Sequence, residues 1–137
     1  MPAQVASRMI PKPSKTRSGL SWTLRIAAAA AFAAAAAAKL SGAQMSIDMF
    51  EQIGLGQGFR YVTATVELIG CVGLLAPGLT AFGALLLSLT MVCATVAHLF
   101  VLHNNPGGAV LLLIVTATIT VLHRDQFTRL TSLGKRS

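Results

Sequence analysis

Lys39, Arg60, Glu67 and His98 are ionisable residues set inside long apolar runs or at their rims. In the hydrocarbon of a bilayer an unpaired charge costs at least ~2.5–3.5 kcal/mol, so such residues either neutralise one another or serve a site. Glu67, in the middle of its run, most needs a partner. A long basic side chain spans several ångströms, and a Lys39–Glu67 or Arg60–Glu67 pair would keep the carboxylate ionised against desolvation. A second chemistry is open to the same residues: a carboxylate and an imidazole, Glu67 and His98, can move protons to and from a bound redox ligand.

Helical spacing gathers these groups into stripes. Arg60, Thr63, Glu67, Gly70 and Cys71 share one helix face; Ser88, Met91, Thr95 and His98 share another, and Thr116, Thr120 and His123 align on a third. The candidate polar cluster is therefore Lys39, Arg60, Glu67, Thr95 and His98, with no residue assigned a catalytic role. Gly70 leaves room for a backbone or a ligand to approach. Cys71 and Cys93 lie in apolar runs and read as small buried hydrophobes. No CxxC or zinc-ligand spacing occurs, and His98, His103 and His123 do not offer two axial haem ligands at one depth. No metal or resident cofactor is expected, while the cluster is open to a quinone or lipid headgroup.

The elements that must position these residues are membrane helices. Of 137 residues, 54% are hydrophobic and 11% charged, and the mean hydropathy is +0.69; lipid is the solvent that suits such a composition. At about 20 apolar residues per crossing the chain has room for about four crossings and no second domain. The runs are Leu20 to Leu40, Phe59 to Ala76, Leu79 to Leu102 and Ala109 to Leu122. The first is mostly alanine, strong in helix propensity and weak in lipid partitioning, and is expected to be buried by its neighbours on most sides. A secretory signal peptide also has a basic start and Ala-x-Ala sites, but this run is longer than a usual signal core. Pro77-Gly78 marks a hairpin, and residues 103 to 108 a second turn. Between the first two runs, Met45, Ile47, Met49, Phe50 and Ile53 suggest a short amphipathic helix at the interface. Gly54, Gly56 and Gly58 follow it without the strand that a dinucleotide fingerprint requires.

The net charge of +7 is concentrated at the two ends: Arg8, Lys12, Lys15, Arg17 and Arg25 before or within the start of the first run, Arg124, Arg129, Lys135 and Arg136 after the last. That arrangement suits anionic lipid rather than nucleic acid. By the positive-inside rule both termini are cytoplasmic, which requires an even number of crossings. The expected organisation is a basic tail over 1–19, unstructured from its prolines, a four-helix all-α transmembrane bundle over 20–123 and a basic tail over 124–137. Lys39, Arg60, Glu67 and His98 then fall in the outer half.

Ala-Ala-Ala-Lys39-Leu40-Ser-Gly42, then Phe50 with Gly54-Leu55-Gly56, then Arg60-Tyr61, Glu67-Leu68-Ile69-Gly70 and Gly73-Leu74-Leu75-Ala-Pro77 resemble the DoxX-like family of small four-helix membrane proteins. The likeness runs from about Lys39 to His123, and His98 resembles a histidine that many members carry late in the third helix. Where the family often has a glycine three residues before the glutamate, this chain has Ala64. The resemblance implies a prokaryotic inner-membrane protein of the kind sometimes associated with quinone-linked or sulfur redox systems. The expected role is that of an accessory or structural subunit, not an enzyme, partnered by lipid and by other membrane subunits or a second copy. A quinone-linked component using Glu67 and His98, and a small-solute carrier, are the alternatives.

Overall fold

The computed structural model describes residues 15–134. Residues 1–14 and 135–137, and with them most of the expected N-terminal tail, lie outside the described residues. Among the described residues the chain forms six helices: α1 (Lys15–Leu40), α2 (Gln44–Ile53), α3 (Gln57–Leu75), α4 (Thr80–Phe100), α5 (Gly107–Leu122) and α6 (Asp125–Gly134). Segment Ser18–Leu40, α3 and α4 are long and apolar enough to cross a membrane; α5, with 16 residues, is shorter. At about 1.5 Å per residue it reaches less than the ~30 Å of a typical hydrocarbon core.

Packing runs α1 against α3, α3 against α4 and α4 against α5, and α5 closes more loosely onto α1. Successive long helices are antiparallel, so both chain ends lie at one pole of the bundle, here the basic pole. Lys39, α2, the start of α3, the end of α4 and the start of α5 lie at the other, the distal pole. The core is assembled from Phe32, Leu74, Leu87 and Ile119 with small residues between them. The tightest approach is between α3 and α4. A Cβ on Gly83 would stand 2.6 Å from Leu74 N and 2.7 Å from Gly70 O, and one on Gly73 would stand 2.9 Å from Gly83 Cα. Only glycine lets the two backbones meet there. The space beside Gly70 is taken by Leu87, whose side chain would lie 2.5 Å from an added Cβ.

Two features depart from the sequence reading. Helix α1 begins at Lys15, before the apolar run, because helix propensity continues through basic residues that lipid partitioning excludes. Its alanines are not buried on most sides. One face, carrying Ser21, Arg25, Ala28, Ala29, Phe32 and Ala36, is buried, while Ala27, Ala30, Ala33 and Ala37 face outward. Helix α1 packs closely on α3 and only loosely on α5 and α2, which leaves its other face uncovered among the described residues. The segment read as a C-terminal basic tail carries a helix, α6. Its Gln126 Oε1 accepts the Ala81 N–H at 2.8 Å, an otherwise orphaned donor at the start of α4, and Phe127 meets Phe82 edge-on at 4.7 Å. Asp125 and Arg129 stand 3.9 Å apart, exposed, and add little.

Candidate functional site

Lys39 occupies the last turn of α1 and Glu67 the middle of α3. Lys39 Nζ donates to both carboxylate oxygens, at 2.9 and 3.0 Å. The side chains are 16% and 4% exposed, so the pair is largely shielded and each charge depends on the other. Antiparallel packing of α1 on α3 is what brings together residues so far apart in sequence.

Arg60 does not join this pair. Its Nη1 donates to the Lys39 carbonyl oxygen, its Nε to Gln57 Oε1 at 2.9 Å and its Nη2 to the Tyr61 hydroxyl at 3.3 Å. A buried guanidinium thus clamps the carbonyl end of α1, where the helix dipole favours a cation. Arg60 fixes the backbone of Lys39 and leaves Lys39 to meet Glu67.

Beside the ion pair, in the distal half of the bundle, lies a half-open cavity of about 410 Å³. Lys39 and Phe32 of α1, Thr63 and Glu67 of α3 and Met91 and His98 of α4 are on its walls, and Ala109 and Leu112 of α5 complete them. Its cover is α2, through Met49, Phe50 and Ile53. The amphipathic pattern dictates that helix, and its apolar edge turns down onto the bundle: Phe50 is buried and meets Phe59 at 6.0 Å, edge to face. Gly54 ends α2 in the left-handed conformation, φ +82°, returning its N–H to Phe50 O at 3.2 Å. Gln57 Nε2 then donates to Ile47 O at 3.1 Å, tying the cover to α3.

His98 lines the cavity, and its Nδ1 lies 2.6 Å from Asn104 Oδ1 in the turn after α4. Because an amide oxygen only accepts, Nδ1 carries the proton and Nε2 bears the lone pair in the neutral ring. Thr95, by contrast, is not brought to the site; its hydroxyl donates to Met91 O at 2.7 Å within α4. The structure therefore unites Lys39, Glu67 and His98 around one space, places Arg60 behind it and leaves Thr95 out. Met49, Thr63, Thr90 and Cys93 also line the space, although none of them belonged to the candidate cluster. Thr63 had a legible signal in its place on the Glu67 stripe, and Met49 in its place on the amphipathic segment.

The basic pole carries polar contacts of another kind. Arg25, buried, donates through Nε to Leu74 O at 2.7 Å and stacks on Trp22, 3.9 Å from the ring centroid. Ser21 Oγ lies 2.7 Å from His123 Nε2, and between the poles Ser88 Oγ donates to Thr116 Oγ1 at 2.9 Å. These groups bond directly across helices, and the apolar groove of about 440 Å³ beside Gly73, Phe82 and Gly83 is lined by none of them. Cys71 is buried and Cys93 exposed, both with free thiols.

No curated protein and no solved structure matches the chain. The sequence pattern of the DoxX-like family, in contrast, matches residues 23–123, from the third turn of α1 to the turn after α5, and takes in most of α1, all of α2 to α5 and the covered cavity. With its apolar spans and that match, this multi-pass membrane chain belongs to the DoxX-like family.

Proposed function

We propose that the chain is an accessory or structural subunit of a redox or envelope complex in a prokaryotic inner membrane, and that its distal cavity receives the headgroup of a quinone or lipid. The observation that carries this reading is the cavity itself: a mostly apolar space of about 410 Å³ with a neutralised ion pair in its wall. Sites for small molecules are typically apolar with a few convergent polar groups. The charge distribution supports the orientation. Arg25, Arg124 and Arg129 lie toward the basic pole, while Gln44–Ile53 has acidic and no basic residues; the positive-inside rule then puts both termini in the cytoplasm and the cavity in the outer half. Four thin helices also leave broad apolar flanks, with Val72, Phe100 and Leu111 exposed, which suit other membrane subunits or a second copy as well as lipid.

A second reading, a quinone-linked redox component, is favoured by Glu67 and His98 lining one cavity. Against it, both Glu67 oxygens are occupied by Lys39, an arrangement better suited to holding a wall than to exchanging protons. The carrier reading has less support, since α1, α3 and α4 are unbroken.

Mass spectrometry of the complex extracted intact from membranes tests the proposal. The expected result is a partner protein together with a stoichiometric quinone or lipid, both diminished in Glu67→Gln and Lys39→Ala. Wild-type abundance and assembly in both variants would overturn it.

A further inference from the structure

Resting on the reading of the distal cavity as a ligand site, we propose that this cavity selects an uncharged, hydroxyl-bearing head on an apolar body and rejects anionic heads. The inference comes from the accounting of charges and hydrogen bonds in the walls. Among the described lining residues the permanent charges are Lys39 and Glu67, and they cancel. Arg60, the neighbouring cation, is occupied by the Lys39 carbonyl, Gln57 and Tyr61. An anionic head entering the cavity would shed its water and meet no unpaired cation, which is a heavy cost in an apolar setting. The cover adds to this bias, because α2 carries Asp48 and Glu51 and no lysine or arginine.

The hydrogen-bonding capacity that remains is specific. His98 gives its Nδ1 proton to Asn104, and in the neutral ring Nε2 is left as an acceptor. An acceptor calls for a donor on the ligand, and a hydroxyl is the neutral group that provides one. Lys39 uses two of its three N–H donors on Glu67, so its third can serve the oxygen of the same head. Around these groups stand Phe32, Phe50, Phe59, Met49 and Met91, whose rings and thioethers pack well on an aromatic or aliphatic body. The head can come from a phenol such as a reduced quinone or from a neutral lipid alcohol.

The test uses the full chain in phosphatidylcholine nanodiscs at pH 8, with isothermal titration of 4-pentylphenol, 4-pentylbenzoate, pentylbenzene and 1-decanol. The phenol or the decanol is expected to bind about tenfold more tightly than pentylbenzene, the equivalent of one net hydrogen bond, and the benzoate more weakly than either. Preference for the phenol identifies a phenolic source, preference for decanol a lipid alcohol. His98→Phe should abolish the preference for the hydroxyl, so that the phenol and the decanol bind no more tightly than pentylbenzene to the same variant, with thermal unfolding in the nanodisc reporting that the variant is folded. Glu67→Ala, which unpairs Lys39, should reverse the selection, with the benzoate binding about tenfold more tightly than to the wild type. Benzoate binding to the wild type as tightly as the phenol, or undiminished hydroxyl preference in His98→Phe, would overturn the selectivity while leaving the cavity as a ligand site. If none of the four probes binds and the natively extracted protein carries no small molecule, the ligand-site reading falls with it.

Discussion

The two ends of the bundle use polar residues in opposite ways. Toward the basic pole the helices touch: Gly73 and Gly83 bring α3 and α4 to backbone contact, Arg25 reaches a carbonyl directly and Ser21 meets His123. At the distal pole they are held apart around a cavity, and the polar groups either brace one another, as Lys39 and Glu67 do, or present an open valence, as His98 does. The lesson is that in lipid a polar side chain marks a possible site only where the packing leaves space beside it. Where backbones close up, the same chemistry serves as adhesive.

Substitutions can break that contrast in graded steps. The largest effect is expected at the crossing: Gly83→Leu must force α3 and α4 apart, so the protein should lose its folded, monodisperse form in detergent, a cost of about 3 kcal/mol or more. Size-exclusion profiles and thermal unfolding check this, and a well-folded variant would show that the crossing is not tight. Next comes Glu67→Gln, which leaves Lys39 shielded without its counter-charge and should cost about 3 kcal/mol, most of it regained in the double variant Lys39→Met with Glu67→Leu. A double variant as unstable as the single one would mean that the pair contributes more than mutual neutralisation. Arg25→Met removes a donor from Leu74 O and should cost about 1–2 kcal/mol without altering ligand binding at the far pole. Altered probe affinity in that variant would contradict the independence of the two ends. The smallest effect is expected for Ser88→Ala, about 0.6 kcal/mol, the ordinary worth of an interhelical hydrogen bond in a membrane.

Much of this architecture is legible in the residues. The four apolar runs, the turns at Pro77-Gly78 and around Pro106, and the amphipathic segment at Met45 to Ile53 appear as helices and turns in the structure. Pairing of Lys39 with Glu67 follows from the cost of leaving either alone in hydrocarbon. Arg60 was an equally good partner on reach, and no linear pattern distinguishes a guanidinium that binds a carboxylate from one that caps a carbonyl. Thr95 shared the His98 stripe, yet a threonine in a helix can satisfy its hydroxyl on the preceding turn, and this one does. The role of Arg25 was similarly hidden, because a cation near the start of a run reads first as an interfacial anchor.

What the sequence determined by itself is the four apolar runs and the identity of the charges that need partners, since apolar run length and the price of unpaired charge in lipid are properties of local composition. What only the tertiary structure decided is where those helices part. Whether a glycine admits a backbone, a leucine or a ligand depends on the side chains that arrive from other helices: Leu87 fills the space at Gly70, while α2 spans the space beside Glu67 without filling it.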